Sequence, residues 1–146
     1  MRWLQDIYHG VTTKGIGRND GLVLSFESRF LPHGSFISAE LRSRNGIEGE
    51  LKIISKGKYD QEPDINQMTD LQGEALKEVW NVLDLSSVDP IKDRVRDGWQ
   101  VRAKGFIQGE YYHKEFVIGD SRSKNEDMTI NKLKQCVEYL MNVGKT

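Results

Sequence analysis

The stretch WQVRAKGFIQGEYYHKEFVI, residues 99–118, reads as two strands folded back on each other. Trp99, Val101, Ala103 and Ile107 share one side of the first strand, with Gly105 among them. Tyr112, Phe116 and Ile118 share one side of the second. A two-residue turn at Gln108-Gly109 pairs Trp99 with Ile118, Val101 with Phe116 and Gly105 with Tyr112. Short turn and apolar pattern agree on this register, and the Tyr112 ring fills the space beside Gly105.

A second hairpin lies upstream, in ISAELRSRNGIEGELKI, residues 37–53. Ile37, Ala39 and Leu41 form one face of its first strand; Ile47, Leu51 and Ile53, with Gly49, form one face of its second. A two-residue loop at Asn45-Gly46 would set Leu41 against Glu50. A three-residue loop, Arg44-Asn45-Gly46, sets Ala39 against Leu51 and Ile37 against Ile53, with Gly46 left-handed at its end. The apolar pattern selects the longer loop. Before it, Leu22, Leu24 and Phe26 alternate with Val23, Ser25 and Glu27 as a half-buried strand, followed by a Leu31-Pro32-His33-Gly34-Ser35 turn.

Each hairpin leads through a polar loop into a helix. Residues 55–68 read as the first connection, and Thr69-Asp70-Leu71-Gln72 fits a capping box. Leu71, Ala75, Leu76, Val79, Trp80 and Leu83 then line one helical face, ending near residues 85–87. Residues 86–97 and 119–126 read as loops. From near Asp127, the residues Ile130, Leu133, Val137, Leu140 and Met141 make a closing helix, with Cys136 beside the stripe and Gly144 as its stop. Trp3, Leu4, Ile7 and Tyr8 have helical spacing before Gly10, and residues 10–21 read as a loop. The prediction is one α+β domain over residues 1–146. About five mainly antiparallel strands form one layer, with two long helices packed on one face, in the order (α)βββαββα.

Composition bounds the function. The 146 residues are 37% hydrophobic and 29% charged, the profile of an ordinary globule, and the net charge of −1 argues against a general polyanion binder. The apolar runs are far too short for a membrane span, and residues 1–10 carry no apolar signal core. The lone Cys136 has no disulfide partner within the chain, which favours a cytoplasmic setting. Charge is unevenly spread. Asp60, Glu62, Asp64, Asp70, Glu74, Glu78, Asp84 and Asp89 face only Lys77 in their segment, whereas residues 92–104 are rich in Lys and Arg.

No catalytic motif emerges. Gly15-Ile16-Gly17 lacks the third glycine of a dinucleotide loop and the Gly-Lys-Ser/Thr ending of a phosphate loop. His9, His33 and His113 have no second ligand at metal-binding spacing, so neither metal nor cofactor is expected. Tyr111, His113 and Glu115 share one strand face opposite Phe106, Lys104 and Arg102, which reads as a ladder with Arg102 paired to Glu115. Cys136 reads as a buried structural thiol. Phe106 and Tyr111 point away from the expected core. Either residues 3–8 cover them, or they form a binding patch with their basic neighbours.

The succession LQGEALKEVWNVLDL, a charged loop, DGWQVR, EYYHKEFVI and INKLKQCVEYL, over residues 69–143, resembles several small α+β families, some of which are immunity proteins to secreted toxins. The resemblance implies a non-catalytic module that occludes a toxin. An acidic surface suits a basic toxin domain, and Asp60, Glu62, Asp64, Asp70 and Glu74 are its expected contacts. The alternative expectation is a nucleic-acid-associated module using Arg94, Arg96, Arg102, Lys104, Phe106, Tyr111 and His113.

Overall fold

Residues 99–118 pair as their pattern predicts: Trp99 with Ile118, Val101 with Phe116, Gly105 with Tyr112 and Phe106 with Tyr111. The computed structural model describes residues 21–31, 35–57, 65–93, 98–107, 109–119 and 127–144. Within them run β1 (Leu22–Leu31), β2 (Phe36–Ser43), β3 (Glu48–Lys56), β4 (Ile65–Gln72), α1 (Glu74–Leu83), β5 (Gly98–Ile107), β6 (Glu110–Ile118) and α2 (Asp127–Gly144). The fold is α+β. Its strands form a six-stranded sheet in the order β4-β3-β2-β1-β5-β6, and every neighbouring pair is antiparallel. The expected short helix at residues 3–8 and positions 32–34 of the expected turn lie outside the described residues; at the turn's ends Leu31 closes β1 and the Phe30 N–H donates to the Ser35 carbonyl at 3.0 Å.

The sixth strand corrects the sequence reading. Residues 69–72 do not begin a helix. They finish β4, which pairs with β3 from Ser55↔Ile65 to Glu48↔Gln72. The Thr69-Asp70-Leu71-Gln72 pattern satisfies a capping box locally, yet Ile65, Gln67, Thr69 and Leu71 also alternate as one strand face. The open edge of β3 offers a ladder along all of β4, and this pairing outweighs the local helix signal. The helix starts later, after Gly73, whose φ of 57° turns the chain and whose N–H donates to the Ile47 carbonyl at 2.7 Å. Leu76, Val79 and Leu83 are buried as expected, while Ala75 is exposed and Leu71 packs from the strand.

The first hairpin keeps its predicted faces but shifts its register by two. Ala39 faces Ile53 and Leu41 faces Leu51, so Ile37 meets Ser55 instead of Ile53. A two-residue shift leaves every side chain on its own face, so apolar alternation alone cannot detect it. The turn chemistry decides. Asn45 Oδ1 accepts from the N–H of Ile47 at 2.9 Å and of Glu48 at 3.1 Å, and Ser43 Oγ accepts from the N–H of Gly46 at 2.9 Å. Gly46 is left-handed, with φ 74°. Ile47 is thereby lifted out of the strand face and left 65% exposed.

One buried cluster joins Leu22, Leu24 and Phe26 of β1 with Leu41, Leu51, Ile53, Val101 and Phe116, and with Leu76, Val79, Leu83, Leu133, Cys136 and Leu140 of the two helices. Each fully buried Leu or Phe contributes about 1.5–3 kcal/mol of transfer free energy. The intervening β1 residues, Val23, Ser25 and Glu27, are also buried, so this central strand is enclosed on both faces instead of half-buried. Residues 86–93, part of the segment 86–97 expected as a loop, are wired to β6. Lys114 Nζ donates to the carbonyls of Ser86 at 2.6 Å and Val88 at 2.7 Å, and the Val117 N–H donates to Ile91 O at 2.6 Å. That segment covers an edge that would otherwise present unpaired backbone groups.

Candidate functional site

Alternation assigns Asn66, Met68, Asp70 and Gln72 of β4 to the face opposite the core cluster, and all four are exposed. Register then sets their neighbours. Asp70 lies directly across from Glu50, Met68 from Lys52, and Gln72 from Glu48. Directly opposed residues have Cβ atoms roughly 4.5–5.5 Å apart, so Asp70 and Glu50 repel each other. On its other side Glu50 faces Arg42, whose guanidinium forms an ion pair with Glu40. The hairpin turn adds Ile47 at the end of this array. Met68, 58% exposed, lies two residues from Asp70 on the same face, while Ile47 sits beyond the end of the ladder, where its carbonyl accepts from the Gly73 N–H.

Of the five acids expected at a partner surface, Asp70 and Glu74 are described. They flank Gly73, and Glu74 opens α1 fully exposed, 3.8 Å from Lys77. Asp60, Glu62 and Asp64 lie outside the described residues. The sequence reading missed Glu48 and Glu50. Their signal was the even-numbered alternation on β3, which gains meaning only once residues 65–72 are a strand beside it.

The same outer face continues on β5 and β6. Arg102 Nε lies 3.7 Å from Glu115 Oε1, and His113 Nε2 lies 3.4 Å from the same oxygen. Lys104, between Ser25 and His113, is only 4% exposed. Phe106 is half-buried across from the exposed Tyr111. Partial burial, with Lys104 nearby, holds His113 below its ordinary pKa, against the opposing pull of Glu115. Of the basic and aromatic residues named for nucleic acid, Arg102, Tyr111 and His113 are exposed, Phe106 is half-buried and Lys104 is enclosed. Arg94 and Arg96 lie outside the described residues.

Glu27 extends this ladder into the centre of the sheet, directly across from Arg102. It is 8% exposed, and its Oε1 lies 3.6 Å from Arg29 Nη2. Its Oε2 is buried without a hydrogen-bond partner. Such an oxygen costs roughly 1–3 kcal/mol or more when left unsatisfied. Glu27 borders a cleft of about 480 Å³ whose walls include Arg29, Gln100, Arg102, Glu115 and Val117.

On the other side of the sheet, Cys136 is fully buried, and its thiol donates to the Val82 carbonyl at 3.2 Å. Burial pushes its pKa up to about 11, so it is a thiol near neutral pH and a poor nucleophile. Among the described residues, no three His, Cys, Asp or Glu side chains gather as a metal site, and no helix is long and apolar enough to cross a membrane. No known family model matches this chain, and no curated protein matches it.

Proposed function

We propose that this protein is a non-catalytic binding module that docks a basic protein, and that its cellular role is immunity to a toxin domain. One observation carries the reading: Asp70 and Glu50 are opposed on neighbouring strands, with the exposed Met68 next to Asp70 on the same face of β4. A pair of facing carboxylates is relieved when an Arg or Lys of a partner comes between them. Met68 supplies an exposed apolar contact of the kind interface hot spots need, and Glu48, exposed on the same face of β3, extends the charge that steers a cationic partner.

Asp60, Glu62 and Asp64 immediately precede β4 in the sequence and belong to the same proposed surface. The reading takes α1 and α2 to pack together on the sheet face opposite Asp70. It is supported by the cluster that Leu76, Val79, Leu133 and Leu140 share with Leu41 and Leu51. A toxin-neutralising role carries with it a cytoplasmic setting.

The test is a binding and growth-rescue panel of purified basic toxin domains against the full chain and its Glu50→Lys/Asp70→Lys variant. We expect at least one domain to be bound and its toxicity suppressed, with affinity falling about a hundredfold in the double variant and about tenfold in Met68→Ala. Equal binding by wild type and both variants would show that this corner is not the docking surface.

A further inference from the structure

We propose that the cleft between β1, β5 and β6 is a binding site for a small zwitterion, a molecule with a protonated amine next to a carboxylate, as in a free α-amino acid. Glu27 provides the first half of the argument. Its side chain lines the cleft, and its Oε2 is buried with no donor, so a ligand N–H completes what the fold leaves open. A charged donor does so best, because hydrogen bonds between ionised partners are the shorter and stronger ones.

The arginines provide the second half. Arg29 meets Glu27 at 3.6 Å and Arg102 meets Glu115 at 3.7 Å, both beyond ordinary hydrogen-bond length. The Arg29 guanidinium also lies over the Phe36 ring, 5.9 Å from its centroid. A guanidinium carries five N–H donors, so these contacts leave room for a ligand carboxylate. The Arg29 and Arg102 side chains are 46% and 44% exposed, so a solute can reach them.

Charge balance selects the class. Two carboxylates and two guanidiniums line the cleft and cancel overall, so neither a simple cation nor a simple anion is drawn by net field. A zwitterion matches both signs at once. The volume of about 480 Å³ falls within the range of small-molecule sites, roughly 300–1,000 Å³. Gln100 and Val117 add an uncharged wall against which the remainder of the ligand can lie.

β2 lies between the cleft's β1 wall and Glu50 on β3, and the cleft shares no lining residue with the Asp70–Glu50 pair, so the two sites are tested by separate variants. Calorimetric titration of the full chain with each proteinogenic amino acid, and with ethylamine and acetate as half-ligands, tests the proposal. At least one amino acid should bind with Kd of about 1 mM or tighter, and both half-ligands about tenfold or more weakly. Glu27→Gln, with an unchanged circular dichroism spectrum, should weaken that amino acid about tenfold, and Arg102→Gln should do the same from the carboxylate side. If Glu27→Gln does not fold, Arg102→Gln decides alone. Absence of amino-acid binding to the wild type overturns the proposal. So does unchanged affinity in the folded variants, or ethylamine or acetate binding as tightly as the whole zwitterion.

Discussion

A methyl group added at Gly105 would run into the ring of Tyr112 and the Leu24 side chain, so one missing Cβ sets how closely β5, β6 and the core approach. Tyr112 uses that space to reach Leu85, accepting its N–H at 3.3 Å, and burial raises the phenol pKa far above its ordinary value. Gly105→Ala should therefore lower stability by about 1–3 kcal/mol in urea unfolding, and part of the loss should return when Tyr112→Leu is added. His113 makes a second residue-scale prediction. Its folded pKa lies below the unfolded value of 6.5, so the unfolded chain binds its proton more readily. Its effect on stability is nil well above that value and becomes a loss as pH falls through it. Wild type should lose more stability than His113→Gln between about pH 7 and about pH 5, read by chemical denaturation. Equal losses would mean that the imidazole titrates alike in both states.

The junction of β4 and α1 shows how much of the fold was legible in the residues. The β5–β6 hairpin was, because its turn length and its apolar alternation demand the same register. The β2–β3 faces were legible but their offset was not. Alternation repeats every two residues, and the deciding contacts are those of Asn45 and Ser43 within the turn. β4 was hidden because Thr69-Asp70-Leu71-Gln72 is a good helix start in isolation, and only the long-range edge of β3 makes it a strand. The acidic corner was half visible for the same reason: Asp70 was named, and its neighbour Glu50 was not. Gly73 separates the two elements with φ 57° and ψ −122°, and an added Cβ there would meet no atom within 4 Å. Any cost of Gly73→Ala is then backbone strain alone. It should reach at least about 1–2 kcal/mol in urea unfolding, with no change in the near-ultraviolet spectrum of the native state. A neutral substitution would mean that the strand and helix meet through some other conformation.

At the scale of the molecule, the corner that is proposed to recruit a basic partner also burdens the fold. Replacing Asp70 with Lys converts a repulsive cross-strand pair into an attractive one, so Asp70→Lys should raise stability by about 0.2–1 kcal/mol while weakening the partner complex. Thermal unfolding in low and high salt checks this, because screening should shrink the gain. The sheet order carries a further consequence for synthesis in the cell. β1 pairs with β2 on one side and with β5 on the other, and β5 follows every other strand but β6. During translation the first four strands emerge as a consecutive meander able to zip up locally, with one flank of its oldest strand bare until most of the polypeptide has left the ribosome. A truncated product ending after α1 would expose that flank permanently, and it is the fragment to watch for inclusion bodies.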